Sequence, residues 1–545
     1  MLLILSAPRR VARATADAGH PTLTLASGRS ATFALVPEWG ELQVDQLRFM
    51  ASERPDAVAY RNLDAGTAIT FGEWDRDSNA LARGLVSLGV AKGDRVSVYL
   101  PSDGVLRWIV AYAAIHKAGA VVVPTNTRLT TPELASILGH AEVSAILTDE
   151  TLLGAALAVR PDVASLRLVI SAGAIDRADV VAWDQARADD TSAFQVEVDV
   201  SDLADVMYTS GTTGLPKGIA VRHGNLAMIP NVEPTWTAEG WIHGAPMFTF
   251  AGIAFIYNPM KMGLVGLYQA RFDAGRWLEY VEHERPAFCM LVPAFAELIV
   301  AHLDFAGRDL SSLRQVSIGS APLAPKTQLT LIERLPDATV GNSYGMTEAG
   351  PAYIVMPKEE ISNRIGSVGK PVGPMEVKIV DEGDAELAPR EVGELLLRMR
   401  GKQREYYKND EATAATWTTD GWLRSGDLAY VDEDGFLYIC GRKKDMIIRG
   451  GNNIYATDVE AVLLEHPDVQ EAAVTGVAHP VLGEDVAAWV VPRANSELDR
   501  DQLLTFVAAR LADYKRPRQL HLVDGLPRNA TGKVMKHRLE VPRAP

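Results

Sequence analysis

Residues 96–100 form a short apolar run, 105–117 an apolar helical stretch, and 121–123 a second apolar run. Two buried strands separated by a helix of that length read as a βαβ unit, in which the strands lie parallel and the helix covers one face of the sheet. The pattern returns at 145–147, 287–292 and 316–318, so the chain is constrained to an α/β architecture. Segments 376–380, 393–399 and 437–439 are shorter strands divided by turn residues, and they predict a small antiparallel or barrel-like subdomain. After Gly441 the texture changes again, to a helix at 458–466, strands at 469–477 and 486–491, and a helix at 498–511. That is a compact α+β unit of about 100 residues, within the usual size of a domain. A chain of 545 residues is too long for one hydrophobic core. The expected organisation is an extension at 1–40, a large N-terminal domain at 41–440 built of parallel βαβ sheets with the barrel-like subdomain, a joint at 441–445, and a small C-terminal domain at 446–545.

Charge and composition narrow the function classes. With 54 basic and 69 acidic residues the net charge is −15, which argues against nonspecific nucleic-acid binding while leaving local anion sites open. The two cysteines, Cys289 and Cys440, are far apart in apolar surroundings, and a reduced, cytoplasmic setting is the default expectation. No C-x-x-C or H-E-x-x-H pattern points to zinc. The uncharged run at 240–260 is long enough to span a bilayer, but Pro246, Gly252, Asn258 and Pro259 interrupt it; it reads as buried domain interior, without integral membrane association. Residues 1–37 carry four arginines against the single acid Asp17, a faint likeness to a transit peptide that reads more simply as a loose extension.

Chemistry is concentrated at 208–218, Y-T-S-G-T-T-G-L-P-K-G. Gly211 and Gly214 allow backbone N–H groups to converge. Thr209, Ser210, Thr212 and Thr213 add hydroxyls, Lys217 adds a mobile cation, and no acid intervenes. The inventory suits a polyphosphate. It is not a Walker A loop, because the lysine lies three residues beyond the second glycine.

Further segments follow in order: G-S-A-P-L at 319–323, G-N-S-Y-G-M-T-E at 341–348, G-W-L-R-S-G-D at 421–427, the glycine-rich stretch 441–460, and P-R-N-A-T-G-K at 527–533. Together with 208–218 these resemble the ordered motifs of the adenylate-forming superfamily: acyl-CoA synthetases, peptide-synthetase adenylation domains and luciferases. The likeness spans roughly 45–540 and is strongest to fatty-acyl and aryl acid:CoA ligases. It implies ATP, Mg²⁺ and CoA, a mobile C-terminal lid, and a reaction in which a carboxylate attacks the α-phosphate of ATP before a thiol takes the acyl group. A homodimer is compatible with such an enzyme.

The resemblance implies the following roles. The loop with Thr209, Ser210, Gly211, Thr212, Thr213, Gly214 and Lys217 holds phosphates. Gly319, Ser320 and Ala321 approach the adenine edge, and Tyr344 stacks on it beside Asn342, Ser343 and Gly345. Thr347 reaches the α-phosphate and Glu348 is the magnesium ligand, which fits a cation that takes one or two carboxylates plus phosphate oxygens. Asp427 accepts from the ribose hydroxyls, with Arg442 as a second contact. Lys533 bridges the attacking carboxylate and the phosphate, Lys444 is the pivot, and Gly450 and Gly451 let the pantetheine arm pass. Phe248, Thr249, Phe250, Met346, Ala349 and Pro351 wall an apolar acyl pocket, which favours a fatty, aromatic or alicyclic acid.

Two departures stand out. Ala456 and Asp458 replace the proline and first glutamate usual in the hinge motif, with Asp458 expected to cap the next helix. Thr249 stands where many acyl-CoA synthetases carry histidine. Residues 246–256 hold no carboxylate, which disfavours an amino-acid substrate. Transfer of the acyl group to a carrier protein is the alternative, and a non-catalytic nucleotide- or acyl-binding regulator the alternative from another class; the retention of Lys533, Glu348 and Asp427 disfavours the latter.

Overall fold

In the computed structural model, residues 13–17, 20–24, 30–32, 40–173, 175–209, 217–321, 323–350, 353–399, 403–493, 496–529 and 533–539 are described. Ser210, Gly211, Thr212, Thr213, Gly214 and Pro351 lie outside them. So does most of 1–40, within which the backbone at Arg13–Asp17, His20–Thr24 and Ser30–Thr32 forms an antiparallel three-stranded sheet where only a loose extension was expected.

Two large sheets carry the chain's bulk. In the first, strands Val181–Ala182, Leu168–Ala172, Val143–Asp149, Arg95–Val98, Val121–Pro124 and Leu203–Thr209 run parallel. Lys217–Arg222 and Glu405–Tyr406 extend it antiparallel. The crossover helix Val105–Lys117 is largely apolar and buried along most of its length, as a helix packed between layers is, with Arg107 exposed near its start. Its last residue, Lys117, is fully buried yet satisfied: Nζ donates to Asp75 Oδ1 at 2.7 Å, Ser78 Oγ at 2.8 Å and Asn79 Oδ1 at 2.7 Å. Burial lowers its pKa to about 8.

The second sheet orders Thr339–Ser343, Gln315–Gly319, Phe288–Leu291, Gly240–His243, Val265–Tyr268 and Val58–Asn62 in parallel, with Thr67–Thr70 antiparallel at one edge. The uncharged run thus divides into a strand and the helix Phe250–Lys261. No helix among the described residues is long and apolar enough to cross a membrane.

A six-stranded antiparallel sheet follows, in the order Ile354–Val355, Ser367–Pro371, Leu437–Arg442, Leu423–Val431, Gly393–Met399 and Met375–Val380. Beyond it, strands Val469–His479 and Gly483–Pro492 pair antiparallel with helices Ala456–Leu464 and Arg500–Ala508 nearby, around a separate apolar cluster. The first of these helices begins two residues earlier than the sequence predicts. Asp458 does not cap it; Asp458 sits in its first turn and receives Lys515 Nζ at 2.7 Å, while Thr457 Oγ1 donates to the Cys440 carbonyl and ties the helix to the preceding strand.

Candidate active site

Parallel strands present their carboxyl ends on one edge of a sheet, and ligands of open α/β sheets bind in the crevice there. Three strands of the second sheet deliver predicted residues to that edge. Gly240–His243 runs into the segment carrying Phe248, Thr249 and Phe250. Gln315–Gly319 ends at Ser320, whose φ of +77° re-aims the chain. Thr339–Ser343, containing Asn342 and Ser343, ends at Tyr344 and Gly345. Gly319 and Ser343 are register partners, and a Cβ at Gly319 would come within 2.8 Å of the Ser343 carbonyl oxygen, so strand packing alone demands that glycine.

Tyr344 leads to a tight turn closed by the bridge between Met346 and Gly350, with Thr347 and Glu348 at its tip. Ala349 is buried in the apolar cluster of the barrel-like sheet, against which Tyr344 and Met346 also pack. The Tyr344 hydroxyl donates to Asp427 Oδ2 at 2.5 Å, and Arg442 Nε reaches Asp427 Oδ1 at 3.0 Å. Asp427 and Arg442 are direct partners across adjacent antiparallel strands, which explains how residues fifteen apart meet. Asp427 is buried, its own N–H donating to Ser425 Oγ at 3.0 Å. Each carboxylate oxygen accepts one hydrogen bond and keeps a second lone pair for a ligand hydroxyl. Burial and then Asp427 push the Tyr344 phenol well above its ordinary pKa, so it remains a donor.

Thr209 and Lys217 face each other across the hairpin of the first sheet. The glycine-rich segment is thus flanked by two antiparallel strands, whereas a Walker loop is flanked by a strand and a helix. Lys217 Nζ lies 5.2 Å from the centre of the Tyr406 ring, and the Tyr406 hydroxyl reaches Glu348 Oε1 at 3.4 Å. Tyr406 thus connects the lysine of the loop to the carboxylate of the turn. Burial and Glu348 raise its pKa to about 12. No cation among the described residues pairs with Glu348, and no cluster of three metal-type side chains occurs among them. A single carboxylate with no cationic partner among the described residues fits a Mg²⁺ held mainly by phosphate oxygens and water; it does not fit an all-protein cage.

From the C-terminal unit, Lys533 enters the same neighbourhood. Its backbone N–H donates to Asn529 Oδ1 at 2.9 Å, and an isolated antiparallel bridge joins Arg528 to Val534. Its side chain keeps solvent access, yet the crowding of surrounding atoms and then Arg442 lower its pKa, with Asp427 acting in opposition. Lys444 lies in the short turn Lys443–Asp445. Gly450 and Gly451 form the tip of a hairpin with φ of +56° and +83°, beside Leu482. A shallow depression lined by His466, Asp499, Asp501 and Phe506 lies elsewhere on this unit and shares no residue with the cluster.

The Thr249 hydroxyl is consumed locally. It donates to the Pro246 carbonyl at 2.7 Å and accepts from Gly252 N at 3.1 Å, capping the helix Phe250–Lys261. Two residues the motifs do not name also belong here. One is Tyr406; the other is Arg404, buried against Phe250 with its Cζ 4.5 Å from the ring centre. The only sequence signal for them is an aromatic pair, Tyr406 and Tyr407, inside a charged stretch.

The AMP-binding enzyme family matches residues 47–407, and the AMP-binding enzyme C-terminal domain matches 458–533. A feruloyl-CoA synthase of Amycolatopsis is 36% identical over 488 residues, 88% of this chain and 95% of that protein. A 2-succinylbenzoate–CoA ligase of Bacillus licheniformis is 33% identical over 90% of this chain and 98% of its own. Among solved structures, the anthranilate CoA ligase AuaEII in complex with anthranoyl-AMP superposes with a TM-score of 0.82 at 26% identity, covering 92% of this chain and 96% of that one. The ATP-bound MatB of Rhodopseudomonas palustris superposes with a TM-score of 0.79 at 27% identity, covering 91% and 97%. With the family matched across most of its length, the chain belongs to the AMP-binding enzymes, the adenylate-forming ligases.

Proposed function

We propose that this enzyme, an ATP-dependent carboxylic acid:CoA ligase, activates a ring-bearing carboxylic acid, and that its two half-reactions divide between two faces of the C-terminal lid. The observation that carries this reading is the convergence of Lys533, from the lid, on Asp427 and Arg442 of the large domain. A carboxylate approaching the α-phosphate of ATP meets like charge. A lysine brought in from a separate domain offsets that charge as the new bond to phosphorus forms and pyrophosphate departs. Lys217 and the loop it closes hold the phosphate tail, Thr347 donates to the α-phosphate, and Glu348 holds Mg²⁺, which supplies neutralisation of the phosphate charge when bound. Asp427 and Arg442 hold the ribose, while Tyr344, Gly319, Ser320 and Ala321 receive the base.

In the second half-reaction the CoA sulfur attacks the acyl carbonyl as thiolate, and AMP leaves with the electron pair of the cleaved acyl–phosphate bond. Gly450 and Gly451, at the hairpin tip, suit close passage of a narrow arm, with Lys444 as the pivot of the exchange. We divide the chain accordingly into a large domain to residue 440, a joint at 441–445 and a lid from 446. Phe248, Phe250 and Met346 supply apolar and aromatic wall. Three of the named relatives carry ring-bearing acids in their names (feruloyl, 2-succinylbenzoate, anthranilate), which supports the same class here. The test separates the halves: Lys533→Ala abolishes acid-dependent pyrophosphate release but leaves thioester formation from supplied acyl-adenylate largely intact. Equal loss of both halves would overturn the division.

A further inference from the structure

Arg404 is 2% exposed and has no acid within ion-pairing distance among the described residues. Burying a guanidinium in that way is costly unless its donors are used. Two are used on segments far apart in sequence. Nη1 donates to the Thr347 carbonyl at 2.8 Å, 57 positions away, and Nη2 to the Asn225 carbonyl at 2.7 Å, 179 positions away. Its Cζ lies over the Phe250 ring, 4.5 Å from the centre, and Gly350, at φ +72°, also packs against it. A Cβ at Gly350 would sit 3.2 Å from Cζ and Nε. Its own backbone is fixed in turn, since the Arg404 carbonyl accepts from Trp417 Nε1 at 2.8 Å and the Gln403 carbonyl from Asn225 Nδ2 at 2.8 Å. Burial lowers its pKa to about 10, with the negative charges of Asp205 and Glu348 acting in opposition.

A planar fork is the one side chain that can satisfy two carbonyls of separate segments while stacking on an aromatic ring; lysine has no plane to stack. We propose that Arg404 is a positioning residue for adenylation: its guanidinium ties the Thr347–Glu348 turn to Asn225 and to the Phe250 wall, and so sets phosphate, metal and acyl pocket in one register. The claim rests on the roles given above to Thr347 and Glu348. A displacement of about 1 Å in such groups costs on the order of 10²-fold in rate. The second half-reaction starts from acyl-adenylate, after pyrophosphate has gone, and depends less on this turn.

Arg404→Met keeps the apolar packing on Phe250 and removes the donors. Expected results are a roughly 10²-fold fall in the rate of pyrophosphate release, a several-fold rise in the Mg²⁺ concentration for half-saturation, and a smaller rise in Tm on adding Mg²⁺ and ATP. Thioester formation from supplied acyl-adenylate should change about threefold or less, and Arg404→Lys should recover only part of the loss. Equal loss in both half-reactions, or an unchanged Mg²⁺ dependence and Tm response, would reduce Arg404 to a packing residue. If Arg404→Met does not fold, Gly350→Ala displaces the guanidinium without deleting it and should give the same split between half-reactions. Glu348→Gln distinguishes the underlying reading. If it leaves the Mg²⁺ dependence unmoved, the role of Glu348 fails, and the Arg404 claim is decided by the half-reaction split alone.

Discussion

Lys533, proposed to offset charge during adenylation, stands where its own charge is disfavoured: crowding and Arg442 lower its pKa from the ordinary 10.5. The sign follows directly. A lowered pKa means that the ammonium is lost at a lower pH than in a free lysine, so acid-dependent pyrophosphate release should decline on the alkaline side before pH 10.5. Lys533→Arg keeps the charge through that range and should move the alkaline limb upward, even with a lower plateau. A limb that does not move would remove Lys533 from the charge-offsetting role. Asp427 is the other residue whose surroundings set its task. Buried between Tyr344 and Arg442, it should on replacement by Ala leave Arg442 without its partner and raise the KM for ATP by roughly tenfold or more, as loss of a partner in a buried charged pair does. Steady-state titration of ATP checks this. Asp427 and Glu348 stand out in the sequence because each closes a local motif. Arg404 does not, because its two acceptors lie 57 and 179 positions away and backbone carbonyls leave no signature in a sequence.

Among the elements, the helix Val105–Lys117 is read from sequence to the residue, since an apolar stretch between two strands has few alternatives. The helix Ala456–Leu464 is displaced by two positions because a tether, from Thr457 to the carbonyl of Cys440, decides its start. The helix Phe250–Lys261 carries a feature no periodicity reveals. Its last residue, Lys261, is buried, donating to Gln43 Oε1 and to the Ile229 carbonyl at 2.7 Å each, and burial lowers its pKa to about 7. Its folded pKa lies below its unfolded one, so between pH 7 and about 10.5 the unfolded chain binds more protons and stability rises with pH. Lys261→Met should flatten that rise, measured as denaturant unfolding at pH 7 and pH 9, with the smaller contribution of Lys117 remaining. An unchanged slope would show that Lys261 is ionised in the folded protein.

At the scale of the whole molecule, the proposed division of the reaction has two bodies meet for one half-reaction and separate for the next. Glu297, on the helix Pro293–Ala301 of the large domain, faces Glu471, Arg528 and Arg493 of the lid, and burial followed by Glu471 raises its pKa to about 7. Its carboxyl binds a proton more readily when the lid is docked, so the docked arrangement weakens as pH rises from about 4.5 through 7. Glu297→Gln removes that penalty. At pH 8 it should favour pyrophosphate release over thioester formation relative to the parent enzyme, and a ratio that stays constant would exclude the contact from lid exchange. The parallel sheets, the antiparallel subdomain and the α+β lid were all legible as textures of sequence. The meeting of lid and large domain was not, because it depends on charges such as Glu297 and Arg528 that read individually as solvated surface. The central claim is tested most directly by measuring pyrophosphate release from ATP and Mg²⁺ over a panel of carboxylic acids, ring-bearing ones included, each with and without CoA. Sustained release that requires both a ring-bearing acid and CoA is the predicted result. Release that stops after one turnover whether or not CoA is present, or that no acid elicits, would contradict it.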